Sequence, residues 1–105
     1  MKTPIDRTIV FTFASHPMRN LSHRWTATLT FPPGSGEETV LPISICDGEG
    51  EKIESGLFEF AGLKLPVAQG KCEIAYRDFV KGKHSVPLWL YRPGIEPVAG
   101  GLSFA

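Results

Sequence analysis

The chain has 105 residues, 42% of them hydrophobic and 21% charged, with 11 lysines and arginines against 11 aspartates and glutamates. Those proportions belong to an ordinary globular chain, not to a disordered segment, and the length predicts one domain over residues 1–105. A net charge of zero excludes the long-range attraction that a non-specific nucleic-acid or anionic-membrane binder depends on, and it leaves little repulsion between copies.

After Met1-Lys2 there is no apolar stretch of signal-peptide length, and no run approaches the ~20 residues of a membrane-spanning helix. The expected location is cytoplasmic, with a mature secreted module as the alternative. Ile9, Phe11 and Phe13 alternate with Thr8, Val10 and Thr12, which predicts a first strand. A loop from Ser15 to Ser22 leads to the clearest strand, Arg24 to Phe31. Trp25, Ala27, Leu29 and Phe31 point one way there, and Arg24, Thr26, Thr28 and Thr30 the other. Threonine suits the wet face because its branched Cβ favours the extended backbone.

After the link Pro32 to Glu38, further strands are expected at Val40–Cys46, Leu57–Phe60, Leu63–Val67, Cys72–Tyr76, Val86–Tyr91 and Leu102–Phe104. Asp47-Gly48-Glu49-Gly50, Ala61-Gly62, Ala68-Gln69-Gly70 and Lys81-Gly82-Lys83 are short and contain glycine, so the strands from Val40 to Tyr91 are expected to run as successive hairpins. Arg92 to Gly101 reads as a longer link. No stretch shows a helical period, and Lys71, Arg77, Lys81 and Lys83 read as a solvated hairpin tip.

The fold class is therefore all-β: seven or eight short antiparallel strands in a β-sandwich, or alternatively a small, partly open β-barrel. Proline favours the sandwich. Pro42, Pro66 and Pro87 lie inside strand-like runs, and proline cannot donate to a ladder, so it is held to edges, strand starts and bulges. Two open sheets have four edges; a closed barrel has none. The strand count resembles the immunoglobulin-like and fibronectin-like sandwiches, in architecture alone. The Cys…Trp…Cys order of a true immunoglobulin domain is missing, because Trp25 precedes both cysteines and Trp89 follows both.

Chemistry-bearing motifs are sparse. Cys46 and Cys72 are too few for a disulfide scaffold and read as two reduced core thiols, with an inter-strand bridge as the other possibility. His16, His23 and His84 match no metal-ligand spacing. An enzyme pairing one of the cysteines with a histidine is the least favoured function, since both thiols sit in apolar runs that make them inert. Asp47, Glu49 and Glu51 space three carboxylates as the opening of a calcium-binding EF-hand loop does, but Lys52 stands where that motif needs glycine. As a plain hairpin tip the same residues set a turn and keep it wet.

Trp89 and Tyr91 are the candidate binding residues. They alternate with Leu88 and Leu90, so one pair must turn away from the core, and two rings on an outer face mark an interaction site. The apolar end Gly101-Leu102-Ser103-Phe104-Ala105 points to the same use. The function expected is a non-catalytic β-sandwich module acting through a protein partner or as a homo-oligomer. No cofactor is implied. A carbohydrate- or small-ligand-binding module, with optional calcium, is the alternative.

Overall fold

The structure is a computed structural model that describes residues 8–36, 38–82 and 88–102. Eight strands form: β1 (Ile9–Ser15), β2 (Trp25–Phe31), β3 (Val40–Asp47), β4 (Ser55–Phe60), β5 (Leu63–Ala68), β6 (Lys71–Ala75), β7 (Leu88–Arg92) and β8 (Ile95–Leu102). A 3₁₀ turn (Leu21–His23) precedes β2, and one helix, α1 (Tyr76–Gly82), separates β6 from β7.

The all-β, antiparallel expectation holds, and the barrel is the arrangement that forms. The sheet closes in the order β1-β2-β3-β6-β5-β4-β7-β8 and back to β1 through Phe13–Leu102 and Ser15–Gly100. Two stacked open sheets, and the immunoglobulin-like architecture with them, are replaced by this closed ring. The run of successive hairpins is corrected as well. β3 pairs with β6, and β7 returns beside β4, so β7-β4-β5-β6 is a Greek key with α1 in its long connection.

The prolines fit a closed barrel for a reason that hydrogen-bond phase supplies. Ile45 N–H donates to Gly70 O at 2.8 Å and Tyr76 N–H to Thr39 O at 2.8 Å, which fixes the alternation between β3 and β6. Pro42, opposite Glu73, falls in a pair that exchanges no hydrogen bond, so its nitrogen faces β2. The last β2–β3 pair is Leu29–Ile43, one residue short of it, and the missing N–H falls where that ladder ends. Pro66 sits on the β6 side of β5, and there β5 and β6 pair only at Ala68–Lys71. Barrels can hold prolines where a ladder stops. Pro87, with Val86, His84 and the terminal Ser103-Phe104-Ala105, lies outside the described residues.

Strict alternation fills the interior. β2 reads buried, half-buried, buried along its length, with Trp25, Ala27, Leu29 and Phe31 all inside. Leu41, Ile43 and Ile45 of β3, Phe58 and Phe60 of β4, and Leu88 and Leu90 of β7 join them. An apolar interior under an outer wall that carries threonines and charges is the reverse of a membrane barrel's pattern. Among the described residues no helix is long and apolar enough to cross a membrane.

The two ends differ. At one, α1 drives Phe79 into a cluster of rings, with centroids 5.2 Å from Phe11, 5.3 Å from Phe31 and 5.5 Å from Phe60. This helix replaces the expected hairpin around Lys81-Gly82-Lys83. Its seven residues bury only Phe79 and Gly82, too few for a helical period to show. At the other end Arg92 reaches from β7 and donates to the carbonyls of Ser22 and His23, fastening the β1–β2 loop over the barrel mouth. Its burial lowers the guanidinium pKa, while Asp47 nearby acts in the opposite direction.

β8 begins seven residues earlier than the sequence reading places it. Pro93-Gly94 makes the turn from β7, with Gly94 at φ 73°, the proline-then-glycine order of a type II turn. Gly100 lets β8 approach β1. A Cβ there would overlap the carbonyl oxygen of Ala14 and lie 2.7 Å from the Trp25 ring.

Candidate interaction face

The site is built from the outer sides of β4, β7 and β8. In β7 the alternation resolves with Leu88 (1% exposed) and Leu90 (0%) inside and Trp89 and Tyr91 half-buried outside. Register then assembles the neighbours. Tyr91 stands opposite Leu57, and Trp89 lies between Glu59 of β4 and Ala99 of β8. Pro66 of β5 extends the first row beyond Leu57, and Lys64 the second row beyond Glu59. The face thus joins two rings to Leu57, Pro66 and Ala99, with the acid Glu59 beside Trp89 and the base Lys64 beyond it.

Tyr91 Oη donates to Glu59 Oε1 at 3.3 Å. Burial pushes the phenol pKa up, and the Glu59 carboxylate pushes it the same way by charge and by that hydrogen bond. The phenol therefore stays neutral and oriented. Leu57 is 37% exposed, while its inward neighbours Phe58 and Phe60 are in the core. A half-covered ring beside an exposed leucine and a small alanine gives area for contact with little side-chain entropy to lose.

Leu57, Glu59 and Ala99 are the members that sequence reasoning does not single out. Alternation along β4 does place Leu57 opposite in sense to Phe58, but only the pairing of β4 with β7 brings it to Tyr91. That pairing joins strands separated by two others and a helix in the chain, and nothing local encodes it.

The other candidate residues fall elsewhere. Asp47 closes β3 at the Arg92 end, and its Oδ1 accepts from the N–H of Glu49 at 2.9 Å and of Glu51 at 3.0 Å. That carboxylate organises its own turn, with Glu49 and Glu51 exposed on it. Among the described residues no three histidines, cysteines or carboxylates gather as metal ligands would.

Both cysteines are free. Cys72 faces the core from β6, and burial, aided by Glu73, pushes its thiol up to about 12, so it stays protonated. Cys46 corrects the reading of two core thiols. It follows the inward set Leu41, Ile43 and Ile45 by one residue and is half-buried on the outer side. Lying on opposite faces of the sheet, the two have no geometry for a bridge. His16 is exposed and His23 half-buried at the Arg92 end; His84 lies outside the described residues.

Comparison with protein-family models, with curated proteins and with solved structures finds no match for this chain.

Proposed function

We propose that the chain is a non-catalytic β-barrel module that works by protein–protein contact through the outer face of β4, β7 and β8. The observation that carries this reading is the pair Trp89 and Tyr91 turned outward beside the exposed Leu57, on a barrel whose inside is already filled by side chains. Aromatic residues lead among those on which interface affinity concentrates, and a well-packed patch of this kind needs a partner surface, not a small-molecule cavity. Zero net charge adds no repulsion against a second copy, which makes self-association one form of this contact.

Site-specific photo-crosslinking in the producing cell tests it. A photoreactive residue at position 57 is expected to give a covalent adduct with another protein chain, its own or a different one. The same residue at position 28, on the outer side of β2, is expected to give none. Equal yields at the two positions, or none at either, would overturn the assignment.

A further inference from the structure

The hairpin of β4 and β5 carries its outward residues in three facing pairs: Ser55 with Ala68, Leu57 with Pro66, and Glu59 with Lys64. The first pair is small, the second apolar, and the third an acid and a base. Glu59 is half-buried and the other five are exposed. Glu59 turns Oε1 to the Tyr91 hydroxyl on the β7 side, and its second oxygen keeps its lone pairs for another donor.

This ordering matches its own image. In an isologous contact one patch meets the same patch on a second copy, about a two-fold axis that lies in the contact plane. With the axis along the strands and midway between β4 and β5, β4 of one chain lies over β5 of the other. Each residue then faces, in the second copy, the residue that it pairs with in its own hairpin. Glu59 meets Lys64 of the second copy, and Lys64 meets its Glu59. Leu57 likewise meets Pro66, and Ser55 meets Ala68. Charge falls on opposite charge twice, apolar on apolar and small on small. An axis between β4 and β7 would instead set Glu59 over Trp89 and Lys64 over Ala99, leaving both charges desolvated without a partner.

We propose that the β4–β5 hairpin is the centre of a two-fold contact between two copies of this chain, with Trp89 and Tyr91 along its edge. The inference rests on the reading of the outer β4, β7 and β8 face as an interaction site, and it names the occupant. An axis along the strands packs the two walls as aligned sheets pack, about 10 Å apart. A barrel wall curves away on either side of that axis. On β7, one strand out, large rings reach across a widening gap that smaller side chains would leave open. Zero net charge adds no long-range repulsion to the encounter.

Sedimentation equilibrium of the full chain tests it. Twice the 11.5 kDa of one chain is expected at the highest concentrations, falling to the single mass on dilution. Lys64→Glu and Glu59→Lys each turn both charge contacts into repulsions, and each is expected to weaken the dimer about tenfold. Mixed one to one, the two variants set the glutamates of one chain against the lysines of the other. The mixture is expected to recover a heterodimer near wild-type strength, which also shows both variants to be folded. A photoreactive residue at position 57 is expected to give an adduct that maps to Leu63–Ala68 of a second copy. A monomer at every concentration, variants that dimerise as the wild type does, or a mixture no stronger than its parts would overturn the two-fold contact. A monomer that still crosslinks from position 57 to a different protein would overturn it alone and leave the interaction face standing.

Discussion

Strands β2 and β7 are built alike on the inside and differently on the outside. Both turn every second residue into the same core, β2 through Trp25, Ala27, Leu29 and Phe31 and β7 through Leu88 and Leu90. Outward, β2 shows Thr26, Thr28 and Thr30, whereas β7 shows Trp89 and Tyr91. Threonine satisfies a solvated β surface by propensity alone. Trp and Tyr also suit a strand, but two large rings side by side on the outer face are what the proposed contact would use. On the proposed reading, the contrast separates residues that make the barrel from residues that use it.

The sharpest way to break that contrast is to cut both strands on the inside. Leu29→Ala and Leu90→Ala each empty a fully buried site and are each expected to cost about 2–5 kcal/mol of stability, measured by urea unfolding. If Leu90→Ala were nearly silent, β7 would not be the core strand that its register makes it. A smaller effect sharpens the outer side. Tyr91 has a folded pKa above its ordinary value of 10.0, so the fold favours the neutral phenol. The stability tied to that preference is present below pH 10 and lost as the pH rises through the folded-state pKa. Tyr91→Phe is expected to flatten the alkaline decline in stability, and Thr28→Ala on β2 to leave it unchanged; identical profiles for all three proteins would separate Tyr91 from Glu59.

Much of this was legible in the residues. The two-residue rhythm of β2 gives its buried set outright, and the same rhythm in β7 shows that the leucines and the rings must part company. Ala61-Gly62 marks a hairpin that forms between β4 and β5, with φ positive at both positions, as a type I′ turn requires. Closure is where local reasoning stopped. Pro42 and Pro66 are correctly read as residues that cannot sit mid-ladder, but only the register shows that one lies past a ladder's end and the other beside the single β5–β6 pair of a closed ring.

β8 was hidden for a related reason. Pro97, Gly100 and Gly101 read as loop, and the need for Gly100 comes from Ala14 and Trp25, residues far away in the chain. Helix α1 was hidden by brevity: two buried residues in seven make no stripe. The companions of Trp89 and Tyr91 were hidden because strand order is set by the whole barrel and by no segment of it.

Acrylamide quenching of the single-tryptophan variants Trp25→Phe and Trp89→Phe tests the central division directly. With Trp25 removed, the emission of Trp89 is expected to be quenched strongly in dilute solution and to become shielded when the face is occupied. With Trp89 removed, Trp25, which donates its indole N–H to the Val98 carbonyl at 3.0 Å inside the barrel, is expected to resist quenching throughout. Trp89 as sheltered as Trp25 in the dilute, isolated chain would contradict the account, because β7 would then have no outer aromatic face to offer.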